Sequence, residues 1–115
     1  MSSGDLDSLV ARYEDAAKRH GLAKTSRAAN KAAEEIASIH RELRQRGLAA
    51  LERLLPLLHD QDVSVRGWAA AHALQFAPQQ ATAVLEELAA GPASPIRVDA
   101  LMTLREWRAG RLQFP

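Results

Sequence analysis

Four histidines, His20, His40, His59 and His72, carry the side chains of this 115-residue chain best suited to binding a metal ion or moving a proton near neutral pH. No two of them stand at the three- or four-residue step that would put both imidazoles on one helix face. Glu34 and Glu35 precede His40 by six and five residues, not by the three-residue Glu-to-His step of carboxylate-bridged metal bundles. A metal site is therefore not expected. Cysteine is absent, which removes disulfides, thiolate metal sites, iron–sulfur clusters and a cysteine nucleophile. No Gly-x-Ser-x-Gly elbow and no glycine-rich phosphate loop occurs, so acyl transfer and nucleotide binding have no anchor. The expectation is a protein that is not an enzyme, with no cofactor and no small-molecule substrate.

The charged residues raise a different chemistry. Lys18, Arg19, Lys24, Arg27 and Lys31 gather around one turn, and Arg41, Arg44, Arg46 and Arg53 around another. A concentrated positive surface would hold nucleic-acid phosphates. Asp15, Glu34, Glu35, Glu42 and Glu52 are interleaved with these cations, however, and the formal net charge is only +1. Solvated helix faces with intrahelical ion pairs are the plainer reading.

The elements that must position these residues are helical throughout. Alanine occurs 23 times and leucine 16 times, whereas β-branched and aromatic residues are few. About six helices are predicted, in one domain over 1–115. The first runs from about Asp5 to His20 and ends at Gly21. The second starts at an N-cap, Thr25 or Ser26, and continues to about Arg46, with Ala29, Ala32, Ala33, Ile36, Ile39 and Leu43 as its core stripe. Leu48–His59 forms the third, kinked by Pro56. A fourth opens after Asp60-Gln61-Asp62 and ends near Phe76, a fifth runs from Pro78 to Gly91, and Ser94-Pro95 starts a sixth that stops at Gly110. Leu112 and Phe114 are expected to fold the tail back onto the body. Met1-Ser2-Ser3-Gly4-Asp5 lacks the basic and apolar regions of a leader, and no run approaches the ~18 apolar residues of a membrane span, so a cytoplasmic protein is expected.

A shift of 31 residues aligns Leu54 with Leu85, Leu57 with Leu88, Val65 with Ile96, Arg66 with Arg97 and Ala69 with Ala100. Each unit is a helix, a short turn and a helix that opens with Val/Ile-Arg. The segment Leu54-Leu55-Pro56-Leu57-Leu58-His59-Asp60-Gln61-Asp62-Val63-Ser64-Val65-Arg66 resembles a HEAT repeat, well over Leu54–Leu74 and partially over Leu85–Leu104, where Gly91-Pro92-Ala93-Ser94 replaces the acidic turn. That resemblance implies a short right-handed α-solenoid of helix pairs, about 5–46, 48–76 and 78–109, whose first pair serves as a cap. It also implies that Arg66 reaches Asp60 or Asp62 in the turn. Val65-Arg66-Gly67-Trp68-Ala69-Ala70, Val84-Leu85-Glu86-Glu87-Leu88-Ala89-Ala90-Gly91 and Thr103-Leu104-Arg105-Glu106-Trp107-Arg108-Ala109-Gly110-Arg111-Leu112-Gln113-Phe114-Pro115 resemble, over nearly the whole chain, a small bacterial family catalogued as domain of unknown function 2019. The resemblance implies a helical, HEAT-like domain without catalytic residues to carry over, and it is compatible with the immunity proteins that neutralise bacterial toxins.

In such stacks the second helix of each pair lines one face, here Ser26–Arg46, Val63–Phe76 and Pro95–Arg108. The candidate partner-binding residues on that face are Arg44, Arg66, Trp68, His72, Gln75, Arg97, Asp99 and Arg108, a mostly positive set suited to another protein with an acidic surface. Trp68 and His72 stand four residues apart on one stripe, where burial is the plainer reading and partner contact the sharper one. Arg97 has no acidic turn beside it and is the freer of the two equivalent arginines. The alternatives are a weak nucleic-acid-binding module, and a structural accessory protein that associates with itself through the Ala-rich face of the second helix.

Overall fold

Alanine-rich, leucine-striped segments punctuated by caps fold into six α-helices and one 3-10 helix, with no strand among the described residues. The computed structural model describes residues 3–114; Met1, Ser2 and Pro115, the outer ends of the opening segment and of the tail, lie outside the described residues. In chain order the elements are α1 (Ser3–Leu22), α2 (Ser26–Arg46), α3 (Leu48–Leu51), the 3-10 helix Glu52–His59, α4 (Val63–Ala73), α5 (Pro78–Ala89) and α6 (Pro95–Arg108).

The helix starts follow their capping chemistry. Thr25 Oγ1 accepts the Ala28 N–H at 3.1 Å, Asp62 Oδ1 accepts those of Ser64 and Val65 at 2.8 and 3.2 Å, and Ser94 Oγ accepts that of Arg97 at 3.2 Å. Gly47 ends α2 with φ +106°, a conformation that a side chain would disfavour.

Three sequence expectations change. Leu48–His59 is not one kinked α-helix: after a single α-turn the chain winds as a 3-10 helix through Pro56. Proline has no N–H to give and crowds the carbonyl four residues back, and tighter winding accommodates both. The fourth helix ends at Ala73, not near Phe76, and the chain continues in tighter turns, with the Gln75 N–H on His72 O and the Phe76 N–H on Ala73 O. Gly21 lies inside the last turn of α1 and does not stop it. Its reason is a close approach: a methyl group there would stand 2.0 Å from Ser64 Oγ and 2.9 Å from Ser64 Cβ. Arg66 reaches Asp60 of the acidic turn as expected; its guanidinium donates to the backbone carbonyl Asp60 O at 2.7 Å and forms no ion pair with Asp60 or Asp62.

α1 packs along α2, the 3-10 helix along α4, and α5 along both α4 and α6. Tyr13, Ile36, Ile39, Leu43, Leu54, Leu58, Val65, Leu74 and Leu85 are the large side chains of the core, and alanines at 16, 17, 69, 70, 73, 81 and 100 let the helices approach. Leu112 and Phe114 pack against this core as expected, folding the tail back. The helix that lies against α4 from the N-terminal pair is α1. α2 does not pack along α4, and their side chains meet where His40 stacks on His72.

Candidate functional site

A groove of about 690 Å³ lies between the α1–α2 turn, α4 and α6. Small residues keep it open: Gly21, Ala23 and Ala29 on one side, Gly67 and Ala71 on α4, Ala100 on α6. Trp68 forms part of its wall, half-buried, with the His20 ring edge-on to it at a centroid distance of 5.1 Å. Val63 and Met102 stand on its lips, 41% and 57% exposed. Two of the six large apolar residues exposed among the described residues, Val63 and Met102, thus line this groove.

Behind the tryptophan lies a buried imidazole cluster. His72, one turn further along α4, meets the Tyr13 hydroxyl at 2.7 Å through Nδ1. The hydroxyl has no other partner among the described residues, so the arrangement that uses its proton has Tyr13 donating and Nδ1 accepting. The His40 ring stacks on that of His72 with centroids 3.8 Å apart and planes 4° from parallel. Parallel planes at that spacing cannot share an in-plane ligand, so the pair cannot chelate one ion. Burial, and then the charges of His40 and Arg44, hold the His72 pKa down at about 3. Burial also lowers that of His40, aided by Arg44 and Arg41; Gln75 opposes the shift without meeting either ring nitrogen in hydrogen-bonding geometry. Both imidazoles are therefore neutral near pH 7, and burial pushes the Tyr13 hydroxyl up. Among the described residues no cluster of three His, Asp or Glu side chains is arranged to hold a metal ion.

The sequence-derived residues separate into three places. Trp68 and Asp99 line the groove together with Thr103. His72 is buried and hydrogen-bonded behind the wall, and Gln75 and the exposed Arg44 flank its partner His40. Arg66, Arg97 and Arg108 do not line the groove. Arg66 borders a second cleft of about 520 Å³, with His59, Gln80 and Glu87, and Arg108 is exposed and paired with Glu86 at 3.2 Å. Arg97 is exposed and its guanidinium has no carboxylate partner among the described residues. The clustered cations behave as their interleaved acids suggest: Lys18 pairs with Glu14, Arg19 with Asp15 and Glu35, Arg46 with Asp5 and Glu42, Arg53 with Asp7.

Sequence reasoning missed Tyr13, His20 and His40 as neighbours of the Trp68 stripe. Tyr13 and His72 are 59 residues apart, and no local spacing signals their bond. His40 does fall on the buried side of α2 beside Ile36, Ile39 and Leu43, a position that periodicity could have assigned.

No helix of the described residues is long and apolar enough to cross a membrane. No curated protein and no solved structure matches the chain. One family does, described as a domain of unknown function (DUF2019), over residues 6–107. That stretch takes in the whole groove and the imidazole cluster behind it, and the chain belongs to the DUF2019 family.

Proposed function

We propose that the protein is a non-enzymatic, HEAT-like helical-repeat module that binds another protein in the groove between the α1–α2 turn, α4 and α6. The observation that carries this reading is a concave surface lined largely by apolar side chains, with Val63 and Met102 exposed at it. Soluble chains leave such patches where a partner covers them. Trp68, half-buried and in T-shaped contact with His20, has the large area and fixed setting of an interface anchor. The 31-residue repeat supports the HEAT-like assignment, since it puts Val65-Arg66 and Ile96-Arg97 at equivalent points near the starts of α4 and α6. An immunity-type role is the form of this function in which the covered partner is a toxin. The nucleic-acid reading has less support, because four of the nine clustered cations are held in ion pairs.

The test is affinity capture from the source cells with wild-type protein and with a Val63→Lys, Met102→Lys double variant whose circular dichroism matches wild type. A discrete protein held by the wild type, lost with the variant and rebinding when purified is the expected result. Identical capture by both baits, or recovery of nucleic acid alone with steep salt elution, refutes the groove as the functional surface.

A further inference from the structure

The charge of the groove differs from that of the surface around it. The chain is weakly basic, yet no lysine or arginine lines the groove, and Asp99 is its one acidic residue. Asp99 is exposed and has no ion-pair partner among the described residues. The 31-residue repeat makes Asp99 the equivalent of Trp68, so the carboxylate and the indole occupy matching positions on α6 and α4. These two helices pack against each other, and both residues line the same groove. Both side chains open onto the same groove of about 690 Å³, so one occupant can reach the indole and the carboxylate together.

An indole face attracts a cation through its ring quadrupole, and a carboxylate does so through its charge. Around them the groove offers Val63, Ile96 and Met102, with His20 and Thr103 as further polar groups, so an occupant that is mainly apolar beside its cation fits it. We propose that the occupant is an apolar segment of another protein bearing one arginine or lysine, whose cation sits between the Trp68 ring and the Asp99 carboxylate. This rests on the groove being a protein-docking site. It assigns to the partner segment a charge opposite to the acidic surface that the arginine-rich outer face of α6 would select. Asp99 is the specificity-determining residue and Trp68 the aromatic wall. His20, which also lines the groove, stands nearly perpendicular to the indole and helps fix its ring.

The probe is a displayed library of random peptides of about 16 residues, long enough for a helix to present several anchors to a groove. It is panned against the full chain and counter-selected against Val63→Lys, Met102→Lys. Enrichment of apolar peptides with an arginine or lysine is expected. Asp99→Asn should weaken a selected peptide by about tenfold or more, and Asp99→Lys should bind that peptide's Arg→Glu form better than its parent, a rescue that no general loss of structure imitates. Enriched peptides without a basic residue, unaffected by Asp99→Asn, overturn the cation assignment and leave the groove reading standing. Failure to enrich any peptide that the lip variant loses overturns both.

Discussion

Acid should loosen this fold through His72 before most carboxylates protonate. His72 is buried with its pKa at about 3, against 6.5 for a free imidazole. Its folded-state pKa is depressed, so between these two values the unfolded chain binds a proton that the folded chain refuses, and stability rises with pH. The contribution is fully present above about pH 6.5 and is lost as pH falls toward 3. Linkage gives a loss of about 2 kcal/mol on going from about pH 7.5 to about pH 5, with a slope near 1.4 kcal/mol per unit in the lower part of that range. His40, shifted the same way and stacked on the same ring, steepens the slope further. Urea unfolding followed by far-ultraviolet circular dichroism across that range measures it. The control is the double change Tyr13→Phe, His72→Phe, which removes both partners of the buried hydrogen bond and leaves neither unsatisfied. The absolute stability of that variant is immaterial; its pH slope should be shallower by the His72 share. Parallel wild-type and variant curves refute the assignment of His72 as a neutral, buried imidazole.

Two further outcomes follow from the local structure. Gly21→Ala should destabilise by about 1–3 kcal/mol, because the new methyl meets Ser64 and must push the end of α1 away from α4. Ser64→Ala should recover only part of this, since Ser64 Cβ as well as Oγ is in the way, and a double-mutant cycle in thermal unfolding reads the coupling. Asp62→Ala removes the acceptor of two N–H groups at the start of α4 and should cost about 0.5–2 kcal/mol in the same assay. A stability unchanged by Asp62→Ala would show that α4 does not depend on this cap.

Much of the helix layout was legible because its signals are local. Thr25, Asp62 and Ser94 mark starts, Gly47 marks an end by its positive φ, and the stripe Ile36, Ile39, Leu43 marks a buried face. Pro56 was legible as a disturbance but not as a switch of helix type, since a kink and tighter winding both answer the same missing N–H. Gly21 misled for a complementary reason. Glycine after an amphipathic run is the usual stop signal, whereas here it answers to Ser64, over forty residues away, and nothing beside it reveals that contact. The candidate site was legible as a stripe and illegible as a groove. Trp68 and Asp99 could be placed on one face from the repeat alone. Which helix stands opposite them depends on α1, and not α2, packing against α4, a choice made by long-range fit.

That choice also explains why the buried imidazoles lie where they do. Had α2 run along α4, an apolar residue at position 40 would have met a second apolar stripe, and no groove would separate them. Instead α2 approaches α4 at the flat contact of His40 on His72, and Tyr13 from α1 supplies the one hydrogen bond there. Two stacked neutral rings fill this junction without the bulk of branched side chains. The His40 nitrogens, buried and unpartnered, carry a desolvation cost that an apolar residue of similar shape would avoid. His40→Phe therefore tests whether the imidazole is there for stability. The variant should unfold at higher urea than wild type, most clearly below about pH 6, where the neutral imidazole is hardest to keep. If it unfolds earlier instead, His40 makes a polar contact worth more than its burial costs, and the junction is held by hydrogen bonding as well as by stacking.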